Sequence, residues 1–244
     1  MPTCCKFEKN MYCKEKAVYS LKCAYYTKFV CESHFPEVER NIHEDLIKKP
    51  KRIIYPNRKD KKKSLVKKNL KGSVIWFTGL CGSGKTTLAK KIKNELEQQN
   101  YSVKLLDGDE IRCYLTSDLS FSKKDRDENI KRISYVAKCI ADVNGIALVS
   151  AISPYVKARE EAKSLIGEDR FFEVFVDCSL NELINRDVKG LYKKALNGEI
   201  DNFTGVNDPY EEPDNPYVIV NTGIEDVEDS FKLIYESLTY RHLG

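Results

Sequence analysis

Residues 72–244 of this 244-residue chain predict an α/β fold, a doubly wound parallel sheet of five strands with helices on both faces. Three observations carry that expectation: Val- and Ile-rich runs recur along the segment, helical periodicities separate them, and a glycine-rich turn joins the first run to the first helix. The first strand spans 73–78, and Leu88, Ala89, Ile92 and Leu96 then mark one face of a helix over 85–98. A second strand over 103–106 runs into Asp107, Gly108 and Asp109, and Ile130, Ile133, Val136, Ala137 and Ile140 give a helix over 129–142. Strands over 146–150, 172–176 and 217–220 follow, separated by helices near 155–165 and 180–187, and a helix over 227–238 closes the chain. Sheets of this kind hold their ligands outside the carboxyl ends of the strands, so the residues following each strand matter most for function.

Composition bounds the rest. Length divided by 150 is roughly 1.6, the size of one full α/β domain with a small appendage. With 41% hydrophobic and 32% charged residues, collagen-like and wholly disordered classes are excluded. The longest uncharged run, 143–156, contains Asn144, Ser150 and Pro154 and is too short to span a bilayer, which needs about 20 apolar residues. The first residues lack a long apolar segment, so the expectation is a cytoplasmic chain with mostly reduced cysteines and no membrane association.

The net charge of +4 conceals a division: residues 1–71 hold 19 Lys/Arg and 8 Asp/Glu, whereas residues 72–244 hold 22 and 29. Five of the nine cysteines and two of the three histidines also lie in the basic head. We divide the chain into a zinc-finger-like module over 1–45, a basic linker over 46–71 and a phosphate-loop domain over 72–244. The linker reads as a solvated charge block, with a nucleic-acid or nuclear-import patch as the alternative.

The turn after the first strand, Gly79-Leu80-Cys81-Gly82-Ser83-Gly84-Lys85-Thr86, matches G-x-x-x-x-G-K-[ST] in its required strand-loop-helix context, the mark of a P-loop NTPase. Its glycines let backbone N–H groups converge on one anion, Lys85 adds a cation, and the Thr86 hydroxyl suits Mg²⁺, so ATP and Mg²⁺ are the expected ligands. After the second strand, Asp107-Gly108-Asp109-Glu110-Ile111-Arg112 places carboxylates and an arginine beside that cradle, able to orient an acceptor hydroxyl and an anion. A turn with a helix cap is the plainer reading of the same residues. Arg126, Asn129 and Arg132, at spacings of three, share a helix face and suit a phosphate or sulfate.

With Asp125 to Ile133, Ile152-Ser153-Pro154, Arg186 to Ala195 and Phe203-Thr204-Gly205, these motifs resemble the adenylyl-sulfate kinase (APS kinase) family, in order from about Ser73 to Thr222. The resemblance implies transfer of the ATP γ-phosphate to the 3′-hydroxyl of adenosine 5′-phosphosulfate (APS), and a homodimer. It assigns Gly79, Leu80, Cys81, Gly82, Ser83, Gly84, Lys85, Thr86, Thr87 and Arg186 to ATP. The acceptor would meet Asp109, Arg112, Phe121, Arg126, Asn129, Ile152, Ser153, Lys189, Asn202 and Phe203, with Phe121 and Phe203 sandwiching the adenine. Catalysis would rest on Lys85 and Asp109, with Ser153 either a phosphoserine intermediate or a turn residue in extended geometry before Pro154; direct in-line transfer is the expectation. Arg186 to Lys194 resemble the family's mobile lid. Cys81, Glu110, Ser120, Ala151 and Asn202 depart from the family's usual residues.

In the head, Cys31-Glu32-Ser33-His34 offers a C-x₂-H pair, and Cys4 or Cys5 with Cys13 can complete a tetrahedral structural Zn²⁺ site. The expected set is Cys5, Cys13, Cys31 and His34, with Cys4 or Cys23 as substitutes and a hairpin between 17–21 and 29–30. A nucleic acid or a protein is the kind of partner such a module takes. Two functions compete with the sulfonucleotide kinase: a P-loop kinase for another small hydroxyl compound, and a zinc- and lysine-rich nucleic-acid binder with a nucleotide-sensing body.

Overall fold

The computed structural model describes the backbone of residues 3–5, 12–16, 19–23, 26–30, 65–67 and 69–242, and the side chains of 69–239. Two compact units divide at Met1–Lys59 and Asp60–Gly244, a boundary inside the expected linker.

In the first unit, β1 (Thr3–Cys5) and β2 (Tyr12–Lys16) pair antiparallel, with Cys4 opposite Cys13 and Cys5 opposite Tyr12. Strands β3 (Tyr19–Cys23) and β4 (Tyr26–Val30) pair antiparallel with Tyr19 opposite Val30, the hairpin that the sequence suggests. Cys31 and His34 lie outside the described residues.

In the second unit, β5 (Leu65–Lys67) precedes the main sheet of β6 (Val74–Thr78), β7 (Val103–Asp107), β8 (Ile146–Ser150), β9 (Phe171–Asp177) and β10 (Val218–Asn221). All neighbours are parallel, in the order β7-β8-β6-β9-β10. The helices are α1 (Lys85–Gln98), α2 (Gly108–Tyr114), α3 (Lys123–Asp142), α4 (Val156–Ile166), α5 (Leu180–Arg186), α6 (Leu191–Leu196) and α7 (Val227–Thr239). The chain then forms β11 (Tyr240–His242), which pairs antiparallel with β5, a pairing that hydropathy does not announce. Among the described residues no helix is long and apolar enough to cross a membrane.

Strand pleating explains why β6 is apolar throughout. Ile75 and Phe77 pack with Leu88, Ile92 and Leu96 of α1 and Ile234 and Leu238 of α7, while Val74 and Trp76 pack on the other face with Ile133 and Ala137 of α3 and Ala158 and Ala162 of α4. Both faces are covered, so the carboxyl ends of the strands are left to bind ligands.

Three local structures differ from the periodicity reading. Residues after Asp107 form α2, because the Asp107 carboxylate accepts from the Asp109 N–H at 3.0 Å and caps that helix. Helix α3 begins at Lys123 rather than near 129, capped by Ser122, whose hydroxyl accepts from the Asp125 N–H at 3.2 Å. Its first turn is polar and carries no apolar signal. The basic lid segment contains α6, nucleated where the Asp187 carboxylate accepts from the Tyr192 and Lys193 N–H groups, each at 3.0 Å.

Candidate active site

Between β6 and α1 the chain turns back on itself through Gly79 to Gly84. At Gly79, φ is +148°, and an added Cβ would fall 2.4 Å from the Val176 carbonyl oxygen, so a side chain is excluded there. Gly84 enters α1 at φ +95°, a left-handed backbone that favours glycine even though an added Cβ would meet no close neighbour. Lys85 Nζ donates to the carbonyls of Gly79 (3.0 Å) and Leu80 (2.7 Å), and burial pushes its pKa down to about 8. The Thr86 hydroxyl donates to Asp107 Oδ2 at 2.7 Å and lies 2.9 Å from Ser150 Oγ. Three oxygens from α1, β7 and β8 thus converge beside the cradle. Hard oxygen donors with one carboxylate fit Mg²⁺ completed by phosphates and water. Among the described residues, no cluster of three or more His, Cys, Asp or Glu offers a metal site built from protein groups alone.

A cavity of about 460 Å³ runs from this cradle across the ends of β7 and β8. Cys81, Gly82, Gly84, Lys85, Thr86 and Thr87 line its donor side, and Asp109, Arg112, Phe121, Arg126, Asn129, Ile152 and Ser153 line the other, with Arg186 and Lys189 at the lid. Two cations flank one ring: the Arg112 and Arg126 guanidinium carbons lie 4.5 and 5.4 Å from the Phe121 centroid. Arg112 Nη1 donates to the carbonyls of Leu119 (3.2 Å) and Ser120 (2.8 Å). Arg126 is buried, its Nε donating to the Phe121 carbonyl at 3.0 Å and its Nη2 to that of Asn202. Asn129 Oδ1 accepts from Thr116 Oγ1 at 2.8 Å, which fixes the amide plane.

The lid bears on the same space. Lys189 Nζ donates to Asp109 Oδ2 at 2.5 Å, and that contact holds the ammonium above the ordinary lysine range. Arg186 bridges Glu182 Oε1 (2.9 Å) and the Thr222 carbonyl (2.6 Å). The buried Tyr192 hydroxyl donates to the Cys81 carbonyl at 2.8 Å, tying α6 to the phosphate loop.

Ser153 sits deep in the turn after β8, only 1% exposed. Its hydroxyl accepts from Trp76 Nε1 at 3.0 Å and approaches the Ala151 carbonyl at 3.4 Å, while its own carbonyl accepts from Arg159 Nη1 at 2.6 Å. Its φ of +48° is left-handed, not the extended geometry expected before Pro154; the contacts around it override the local preference. The Ile152 carbonyl accepts from the Thr78 hydroxyl at 2.7 Å.

Some expected residues fall elsewhere. Gly79, Leu80 and Ser83 shape the loop without lining the cavity, and Asn202, at φ +55°, contributes its carbonyl to Arg126. Phe203 packs edge-on against Tyr192, with centroids 5.0 Å apart, and of the two rings expected to sandwich an adenine only Phe121 lines the cavity. Arg132 also turns outward: its guanidinium pairs with Asp118 at 2.8 and 2.9 Å and with Glu128 at 3.0 Å. At three residues per step on a helix of 3.6, successive positions drift around the axis, and by Arg132 the drift has left the cavity. Conversely, Ser150 and Tyr192 line the site although the motifs assign them no role, and Asp107, one of the two carboxylates expected there, meets Thr86. Asp107 and Ser150 were readable as strand carboxyl ends, whereas Tyr192 carries no signal apart from its place in the lid.

Comparison with known proteins follows the same segment. The model of a family described as adenylylsulphate kinase matches residues 71–221. The adenylyl-sulfate kinase of Halothermothrix orenii is 52% identical over 171 residues, covering 70% of this chain and 91% of that protein. That of Clostridium acetobutylicum is 46% identical over 176 residues, covering 72% and 88%. Among solved structures, the Mycobacterium tuberculosis APS kinase CysC in complex with AMPPNP and APS superposes with a TM-score of 0.66 at 40% identity, covering 69% of this chain and 98% of that one. The hexameric APS kinase from Thiobacillus denitrificans superposes at 0.53 with 26% identity, covering 90% of this chain and 41% of that one.

Proposed function

The chain belongs to the adenylylsulphate kinase family, and from that membership we propose that its cavity holds ATP and APS together and passes the γ-phosphoryl group to the APS 3′-hydroxyl, releasing ADP. The observation that carries this reading is the single cavity joining Lys85 and Thr86 at one end to Arg112, Arg126 and Asn129 at the other, with Asp109 between them. The loop N–H groups and Lys85 receive the β- and γ-phosphates. Thr86 and Asp107 would hold Mg²⁺, which supplies charge neutralisation at the phosphates. Phe121 offers its face to the acceptor's adenine, and Arg112, Arg126 and Asn129 supply donors for the phosphosulfate. Asp109 orients the 3′-hydroxyl and accepts its proton as the O–P bond forms. Lys189 and Arg186 close the lid and keep water from the transferring group. A coupled assay with ATP, Mg²⁺ and APS tests the reading: APS-dependent ADP release supports it, and turnover only with another hydroxyl acceptor refutes it.

Transfer is direct in this proposal. A loose transition state needs alignment and charge compensation, and a hydroxyl already engaged by Trp76 and enclosed in a turn is poorly placed to attack phosphorus. Ser153→Ala should therefore keep kcat within about 10-fold of the parent, the loss of one buried hydrogen bond being worth about 1 kcal/mol. Mass spectrometry of the parent under turnover should find no phosphate on Ser153; a chemically competent phosphoserine would overturn direct transfer.

For the head, we propose a structural Zn²⁺ site drawn from Cys5 or Cys4, Cys13, Cys31 and His34, since three thiolates and an imidazole suit that ion. The β1–β2 register sets Cys4 rather than Cys5 across from Cys13, which favours Cys4. Elemental analysis of the full chain should return about one zinc per chain, lost in the Cys13→Ser variant.

A further inference from the structure

Arg126 is the most enclosed cation of the acceptor pocket, and one of its neighbours has no part in the roles assigned above. The Phe121 and Asn202 carbonyls that accept from its guanidinium are neutral. Its charged neighbours are Arg112, which shares the Phe121 ring, and Asp208, whose Oδ2 lies 3.7 Å from Arg126 Nε. Asp208 is itself held still. The hydroxyl of Tyr155, a buried ring at the start of α4, lies 3.0 Å from each of its carboxylate oxygens. Its backbone closes a turn in which Gly205 N donates to the Asp208 carbonyl at 2.7 Å and Asp208 N to the Phe203 carbonyl at 3.2 Å. Two guanidinium groups converging on one ring repel each other, and two neutral carbonyls do not cancel that. A carboxylate immobilised 3.7 Å behind one of the guanidinium groups opposes that repulsion.

We propose that Asp208, clamped by Tyr155, is a positioning residue that orients Arg126 toward the anionic tail of the acceptor nucleotide. This rests on the acceptor reading above. Asp208 does not line the cavity, so its influence falls on acceptor affinity through Arg126 and leaves the ATP end of the cavity alone.

Initial rates of ADP release by the full chain, D208N and Y155F, with thermal melts alongside, decide the matter. If the parent shows no APS-dependent turnover, the acceptor reading fails and the proposal falls with it. With the parent active, D208N should raise the KM for APS about 10-fold while kcat and the KM for ATP stay within about 2-fold, as for losing the carboxylate of a half-enclosed charge pair. Y155F, which keeps the carboxylate but frees it to turn, should raise the same KM about 3-fold, the effect of one neutral hydrogen bond. An unchanged KM for APS in a folded D208N, or a parallel loss of kcat and both affinities in a folded Y155F, would overturn the proposal. If D208N does not fold, the split in Y155F decides alone.

Discussion

Lys85→Ala should lower kcat for APS-dependent ADP release by roughly 10³-fold, the scale on which removing one preorganised donor to a developing anion acts. The buried ammonium lies within the loop that would receive the phosphates, and among the described residues no other lysine lines the donor side of the cavity. Circular dichroism should still report the parent's secondary structure, because the core clusters on both sheet faces do not include Lys85. The parent also makes a pH prediction. Burial holds Lys85 at about 8, so the charged form dominates below that pH and is lost above it. In the free enzyme, kcat/KM for ATP should fall about tenfold per unit above that value, whereas kcat, measured with phosphates bound, should hold to higher pH. Lys85→Arg keeps its charge and should lack that alkaline limb in whatever activity it retains. A Lys85→Ala enzyme within a few-fold of the parent would refute the cradle assignment.

Asp109→Asn should lower kcat by about 10²- to 10³-fold, within the range of a lost general base, with a smaller effect on the KM for ATP. The substitution preserves shape and removes only the charge that would accept the 3′-hydroxyl proton. It also removes the ionic partner of Lys189, an exposed pair of little worth to stability, so the melting temperature should move little. Because that pair joins α2 to the lid, cleavage by trypsin near Lys189 should quicken in Asp109→Asn if the contact helps to close the lid. A kcat unchanged by Asp109→Asn would show that orientation by the cradle and the arginines suffices without a base.

The sheet was legible because buried parallel strands need apolar residues on both faces, and the runs over 74–78 and 146–150 satisfy that without alternation. The phosphate loop was legible because its glycines answer a backbone demand, as the close approach of Gly79 to Val176 illustrates. Short capped elements were not, except after Asp107, where a helix cap was the plainer reading. Helices α2 and α6 and the first turn of α3 are specified by side-chain caps from Asp107, Asp187 and Ser122, which hydrophobic periodicity does not register.

Local physics thus determines the order of strands and helices and the anion cradle, since both follow from patterns within a few consecutive residues. Only the tertiary structure decides which polar groups meet. It turns Arg126 inward and Arg132 outward from one helix, sets Phe203 against Tyr192, and holds Ser153 in a left-handed turn between Trp76 and Arg159. The physical reason is that the decisive contacts, Trp76 to Ser153 and Arg126 to the Asn202 carbonyl, join residues more than 70 positions apart, whose meeting is set by how the helices and loops pack on the sheet.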